Sequence, residues 1–425
     1  MSRFEKLGDV ESQNEDVSTD LTWSTILKWG IITYTSMLIV FISICNCCPS
    51  LIEVGLLSLL SHRSSSGPFL AYSHNVGHFR KPTGFDIVAL VPYKHHEQTS
   101  VLDCYLQKNL VNNHGFLDKV VFIPQTNDTA SLEWLASIVQ KTSAYSVWTS
   151  PADAYGKMNS RTLFVWLDGD VVFLEDHTIP TIVRTMLDNP DSLMVSANVI
   201  NHAALEALHS HPGVALPYLP ELHQASGAAQ LPPARDLDWS TSHLPPWAGP
   251  EDFRVLKGFA PPGSKHRWLL SDDEHVDRTP ISTSMYTTVG PGFSDWTVKA
   301  QQHYSFLHHL ELGELHRYKF PKWSNPADIS PNLLCFWDAD ANVVQSSILH
   351  GSSYVPIRFI EDANKPTKRT VIIDGKGLAA HYSADAGAED LDSTDILQRN
   401  PCTEPTYRPR IIDCYIIILY RLDIR

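Results

Sequence analysis

From residue 83 onward the chain alternates between unbroken apolar runs and segments whose apolar residues recur at helical spacing. "DIVALVP" (86–92) is apolar throughout and closes on proline, which predicts a buried parallel strand. "SVLDCYLQKNLVNN" (100–113) spaces Val101, Tyr105, Leu106 and Leu110 along one helical face and offers Ser100 as an N-cap. "KVVFIP" (119–124) predicts a second strand, and "SLEWLASIVQKT" (131–142) a second helix starting at Ser131. "YSVWTS" (145–150) and "TLFVWLD" (162–168) read as a third and a fourth strand.

Further on, 177–190 reads as a helix that tolerates Pro180 near its start, and 192–201 as another core strand. Residues 212–280 are proline-rich and predict irregular, loop-dominated chain of the kind that walls a binding site. Helical spacing returns over 295–315, and 333–342 and 369–383 are strand-like. This order predicts an α/β fold, a doubly wound and mostly parallel sheet with a proline-rich irregular insertion.

The region before residue 83 differs. Residues 1–25 are polar and acidic and predict a disordered tail. Residues 26–48 are mostly apolar, flanked by Trp23 and carrying Trp29, and are long enough for a hydrocarbon core of ~30 Å. They predict one transmembrane signal anchor, with Lys28 voting for a cytoplasmic N-terminus. Residues 49–82 then form a stem, 83–400 the main domain and 401–425 a C-terminal tail. A buried helix of a soluble domain is the alternative for 26–48.

Charge changes the picture little. The formal net charge of −14, with no basic stripe, argues against nucleic acid as a partner. The seven cysteines form no pair of CxxC motifs, so a structural zinc site is not expected. Cys104, Cys335, Cys402 and Cys414 leave room for one or two disulfides.

The chemistry concentrates in "LFVWLDGDVVFLED" (163–176). Asp-Gly between apolar runs is a strong hairpin signal. Yet ligands of doubly wound sheets gather beyond the carboxyl ends of the strands, where Asp168 and Asp170 fall. In extended chain residues i and i+2 share a face, so two carboxylates there predict a divalent-metal site. A second carboxylate is superfluous to a hairpin, which favours the site.

An anchor, a stem, a βαβ domain and a carboxylate pair after the fourth strand together resemble a GT-A glycosyltransferase with its Asp-any-Asp motif. More narrowly, "WLDGDVVFLEDHTIP", "VSANVINHAAL", "WTVKAQQHYSFLHHLE" and "IDGKGLAAHYS" resemble a set of fungal glycosyltransferase-like proteins, over roughly 84–400. That set carries three consecutive aspartates where this chain has Asp168-Gly169-Asp170. The resemblance implies metal-dependent transfer from a nucleotide-sugar donor, a UDP- or GDP-sugar, to a glycan, lipid or small-molecule acceptor. Mn²⁺ or Mg²⁺ would offset the charge that builds on the diphosphate leaving group. By resemblance Asp170 binds the ion, Asp168 binds it through water or binds the ribose, and His381 is the third ligand. Tyr93 and Lys94 then meet the base and a phosphate, and Asp295 is the general base of an inverting reaction. The compartment implied is the Golgi or endoplasmic reticulum, with a lumenal domain, a type II topology and a usable sequon at Asn127-Asp128-Thr129.

Two rival readings use the same residues. In a haloacid-dehalogenase-type phosphohydrolase, Asp168 is the nucleophile, Asp170 the acid/base, and Asp272-Asp273 a later metal motif. In an inactive GT-A-fold binding protein the fold survives without the chemistry.

Overall fold

The computed structural model describes residues 29, 31–36, 80–149, 161–222, 240–241, 244–256, 258–260, 263, 265–272, 276–283, 295–348, 355–356, 369–382 and 391–400. The chain divides into two units, one of residues 1–63 with 410–425 and one of 64–409. In the first, the described residues Trp29 and 31–36 are helical and exposed. The rest of the expected anchor, the stem up to residue 79 and the tail from 401 lie outside the described residues. Among the described residues no helix is long and apolar enough to cross a membrane.

In the second unit the strands are β1 (Asp86–Tyr93), β2 (Lys119–Pro124), β3 (Tyr145–Val147), β4 (Thr162–Leu167), β5 (Val171–Leu174), β6 (Ser192–Ile200), β7 (Tyr218–Pro220), β8 (Trp268–Leu270), β9 (Trp323–Ser324), β10 (Asp328–Ile329), β11 (Leu333–Trp337), β12 (Val355–Pro356) and β13 (Thr370–His381). The helices are α1 (His96–Asn109), α2 (Thr129–Lys141), α3 (Thr178–Asp188), α4 (Glu206–His209), α5 (Trp296–Leu312) and α6 (Ala341–Ile348). One sheet runs β3-β2-β1-β4-β11-β6-β13-β5, with β9 also paired to β13. β3, β2, β1 and β4 are mutually parallel, and β6 is parallel to β13. β11 runs antiparallel to both its neighbours, and β5 and β9 antiparallel to β13. The expected mostly parallel α/β sheet is therefore present, interrupted by three reversed strands.

Both faces of this sheet are buried, which is why its strands read as unbroken apolar runs. All of β4 and all of β6 are buried. Alternation divides β1 between two cores: Ile87, Ala89, Val91 and Tyr93 face one, Val88 and Leu90 the other. The winding is less even than a doubly wound sheet implies. Side chains of α1, α2, α3 and α5 all enter the first core, and α6 supplies Ala341 and Val344 to the second. The cause is topological: β1, β2 and β3 step in one direction, so right-handed crossovers put α1 and α2 on the same face.

Three local expectations shift. α1 starts at His96, so Ser100 lies inside it, and the Ser100 hydroxyl donates to the Glu97 carbonyl. α2 starts at Thr129, two residues before the expected start, and is capped by Asp128, whose carboxylate accepts from the Ser131 amide at 2.8 Å. β11 ends at Trp337, and 338–342 turn into a short 3-10 segment and the start of α6.

Candidate metal and donor site

The sheet order reverses direction between β1 and β4, since the chain moves outward from β1 to β2 and β3 and returns to β4 on the other side. Such a switch point opens a crevice beyond the carboxyl ends of the two strands. Tyr93-Lys94 leaves β1 there, and Asp168-Gly169-Asp170 leaves β4 there.

The acidic segment is a turn but not a hairpin. The Val171 amide donates to the Asp168 carbonyl at 3.1 Å, closing a four-residue turn. The strands on either side do not pair: β4 lies between β1 and β11, whereas β5 pairs with β13. Nor does Gly169 take the positive φ that a tight Asp-Gly hairpin turn requires. A Cβ here would run into the Pro92 carbonyl oxygen, so the glycine provides clearance against β1. The turn is held from both sides. The Thr99 hydroxyl donates to the Gly169 carbonyl at 3.1 Å, and the Asp168 amide donates to the Asn332 carbonyl at 2.8 Å.

Sheet register then delivers the histidine. β5 begins immediately after Asp170, and its antiparallel pairing sets His381 opposite Val171. The register shifts between Ala380 and His381, which leaves Val172 as an extra residue on β5. Bulges of this kind re-aim side chains next to sites. The Val172 carbonyl is occupied by the Asn400 side-chain amide. One residue on, the Tyr382 amide donates to the Asp170 carbonyl at 2.9 Å.

As a result Asp168, Asp170 and His381 each present a ligand atom within 4.8 Å of the others. Asp170 and His381 are buried, 5% and 6% exposed, and Asp168 is partly open. His381 Nε2 pairs with Asp170 Oδ1 at 2.8 Å, whereas Asp170 Oδ2 and His381 Nδ1, both buried, have no hydrogen-bond partner. Buried carboxylate oxygens are costly without donors or a cation. The donor set answers what that cation would be. Carboxylate oxygens suit Mg²⁺ and Mn²⁺, and an imidazole nitrogen tilts the set toward a first-row ion such as Mn²⁺. The three residues fit the group.

The electrostatics agree with two anions and one cation in close quarters. Burial and the neighbouring Asp170 charge push Asp168 up to about 6, against the pull of His381 and Lys94. Burial also works against Asp170, but His381 and Lys94 outweigh it and hold that carboxyl below its ordinary range. Burial works against the His381 cation, and the two carboxylates outweigh it and raise its pKa. Only the neutral ring is a metal ligand, so protonation of His381 competes with metal uptake.

The other expected residues divide. Lys94 is exposed just after β1, and its charge acts to lower the pKa of both aspartates. Tyr93 is fully buried, stacks on Trp134 at 6.0 Å and donates its hydroxyl to the Ser131 carbonyl. Its ring faces the core and not the crevice. Asp295 caps α5, its Oδ1 accepting from the Thr297 amide at 3.0 Å and hydroxyl at 2.7 Å. Asp272 follows β8 in a separate two-stranded sheet and is not in the metal group, and Asp273 lies outside the described residues. Two partners had no signal in the sequence. Asn332 Nδ2 donates to Asp168 Oδ2 at 3.2 Å, and Asn201 Nδ2 donates to the carbonyls of His381 and Tyr382, each at 3.0 Å.

No protein-family model matches the chain, and no curated protein matches it. Solved structures match over part of it. Mannosyl-3-phosphoglycerate synthase from Rubrobacter xylanophilus is 12% identical over 29% of this chain and 42% of its own, with a TM-score of 0.22. Glucosyl-3-phosphoglycerate synthase from Mycobacterium tuberculosis, in complex with Mn²⁺, UDP-glucose and phosphoglyceric acid, is 13% identical over 29% and 47%, also at 0.22. 4-Diphosphocytidyl-2C-methyl-D-erythritol synthase from Anaerococcus prevotii is 12% identical over 27% and 56%, at 0.21. The chain thus spans about half the length of these proteins, and a likeness this partial carries no functional argument.

Proposed function

We propose that this protein is a metal-dependent glycosyltransferase that moves a sugar from a UDP- or GDP-sugar to an acceptor hydroxyl on a glycan, lipid or small molecule. The observation that carries the reading is the meeting of Asp168, Asp170 and His381 beyond the carboxyl end of β4, with Asp170 Oδ2 buried and without a hydrogen-bond donor. When bound, a divalent ion supplies charge compensation for the diphosphate leaving group. Asp170 and His381 hold it from the buried side, and Asp168, steadied by Asn332, holds it from the open side. Lys94 at the rim meets the phosphates. Asp295 is the proposed base of an inverting reaction; Thr297 engages its Oδ1, which leaves Oδ2 to take the acceptor proton. His381 has no part in a phosphohydrolase of the haloacid-dehalogenase type, which places that reading second.

We also propose that residues 26–48 anchor the chain and that the domain works in the lumen of the Golgi or endoplasmic reticulum. A disulfide at Cys104 and an exposed sequon asparagine, Asn127, support an oxidising, glycosylating compartment.

The test is calorimetry of the protein with UDP and with GDP, with and without Mn²⁺, on wild type and Asp170→Asn. Binding that needs Mn²⁺ and disappears in the variant is the expected result, and it names the base. No nucleotide binding, together with phosphomonoester hydrolysis lost in Asp168→Asn, would overturn the proposal in favour of the phosphohydrolase.

A further inference from the structure

Asn201 follows β6 directly, takes the left-handed region with φ 63°, and is 6% exposed. A side-chain-bearing residue pays for that backbone, asparagine less than most, and such residues collect where geometry matters. The side chain explains the choice here. Asn201 Nδ2 reaches the carbonyls of His381 and Tyr382, both at 3.0 Å, and lies 3.2 Å from Nε2 of the buried His303 on α5. His303 Nε2 is in turn 3.4 Å from the Tyr382 carbonyl. Burial holds His303 neutral, its pKa pushed down to about 4, so the ring adds no cation beside His381.

The carbonyls that Asn201 grips belong to the residues that build the metal group. His381 supplies a ligand nitrogen, and Tyr382 bonds through its amide to the Asp170 carbonyl. β13 has already slipped its register on β5 at this point. The regular ladder that would fix the direction of His381 is therefore interrupted where direction matters most. The residue after β6, on the other edge of β13, takes over the task through its side chain.

We infer that Asn201 is a positioning residue: its amide clamps the His381–Tyr382 backbone at the bulge and so aims the imidazole into the Asp168–Asp170 pair. The inference rests on the metal-site reading proposed above. It assigns a role to the asparagine that follows β6, which the chemistry otherwise leaves unused. Outer residues that orient metal-ligating histidines typically matter by about 10- to 100-fold in metal affinity.

The variant to make is Asn201→Gly, which keeps the left-handed backbone and removes only the amide. Two readouts are taken without substrate on the full chain. Mn²⁺ affinity is measured by electron paramagnetic resonance on protein shown to be folded by circular dichroism, and pulsed measurements record the coupling of the ion to an imidazole nitrogen. The expected result is a loss of about 10- to 100-fold in affinity, with the nitrogen coupling weakened while carboxylate-bound Mn²⁺ persists. Wild-type affinity and wild-type nitrogen coupling in folded Asn201→Gly overturn the inference and leave the metal site standing. A wild-type protein that takes up no Mn²⁺, or takes it up with no nitrogen coupling, overturns the metal-site reading itself. If Asn201→Gly does not fold, Asn201→Ser, whose hydroxyl cannot span to both carbonyls, is read by the same two measurements.

Discussion

Gly169 is wedged against the Pro92 carbonyl oxygen, with no space for a Cβ between them. The end of β1 and the turn after β4 are thus in backbone contact, and that contact sets the depth at which Asp168 and Asp170 enter the crevice. No larger side chain has room at that position.

Gly169→Ala is expected to lower stability by about 1–3 kcal/mol, the usual range for overpacking a filled site. Gly169→Asp, which would make a run of three aspartates, is expected to lose at least as much and to gain no Mn²⁺ affinity. Urea denaturation of both variants measures the first effect and Mn²⁺ titration the second. A Gly169→Asp protein as stable as wild type would show that the wedge is wrong.

Much of this was legible in the sequence because both faces of the sheet are buried. β1, β4, β6 and β13 read as apolar runs for that reason. The helix starts were harder. α1 opens on His96, Glu97 and Gln98, polar residues without an apolar period, and it buries Gln98 and Thr99, so Ser100 looked like the boundary. Tyr93 was misplaced by a rule that could have placed it: it continues the face of Ile87, Ala89 and Val91 and so turns into the core. The acid pair was visible because its members are adjacent in the chain. Asn332 was not, since it meets Asp168 across 164 residues through pairing of β11 with β4. His381 came from resemblance; what brings it to Asp170 is the register of β13 on β5.

Lys94 and Asp170 are expected to separate metal binding from nucleotide binding. Lys94 is an exposed cation acting on both aspartates, so Lys94→Ala removes a repulsion toward Mn²⁺ and an attraction toward phosphate. The variant is expected to hold Mn²⁺ at least as tightly as wild type and nucleoside diphosphate more weakly. Asp170→Asn is expected to lose Mn²⁺ by more than the ~10- to 100-fold of an outer-shell change, and the nucleotide with it. Parallel titrations with Mn²⁺ alone and with UDP or GDP in Mn²⁺ check both signs. If Lys94→Ala weakens Mn²⁺ while leaving the nucleotide untouched, the assignment of this lysine is wrong.

Stability is expected to fall on acidification because of His209. It is 2% exposed, and burial pushes its pKa down to about 3 from the ordinary 6.5. Between those values the unfolded chain holds a proton that the folded chain refuses, so stability drops as pH falls, by about 1.4 kcal/mol per pH unit for one such group. His303, pushed down to about 4 by burial, adds to the slope in the same direction. His209 Nε2 sits 2.9 Å from Asn198 Oδ1, and a glutamine amide keeps a donor for that oxygen without titrating. His209→Gln is therefore expected to flatten the pH dependence of the urea midpoint between pH 7 and 5 by about one proton. An unchanged slope would sink the assignment.

The two described cysteines of the main domain are expected to behave oppositely. Cys104, on α1, is disulfide-bonded, whereas Cys335 is free and fully buried in the middle of β11. Burial pushes the Cys335 thiol far above its ordinary range, so it is neither exposed nor ionised at neutral pH. Iodoacetamide on the native, unreduced protein is expected to label neither residue, and on the unfolded, unreduced protein to label Cys335 but not Cys104. Reduction before denaturation opens Cys104 and is expected to cost about 2–5 kcal/mol, the usual loss on removing a native disulfide. Because α1 also holds the Asp168–Asp170 turn through Thr99, loosening this helix should reach the site. Mn²⁺ affinity measured with and without reductant is expected to fall on reduction. Labelling of Cys104 in the native protein without reductant would remove both the bond and the argument for an oxidising compartment that rests on it.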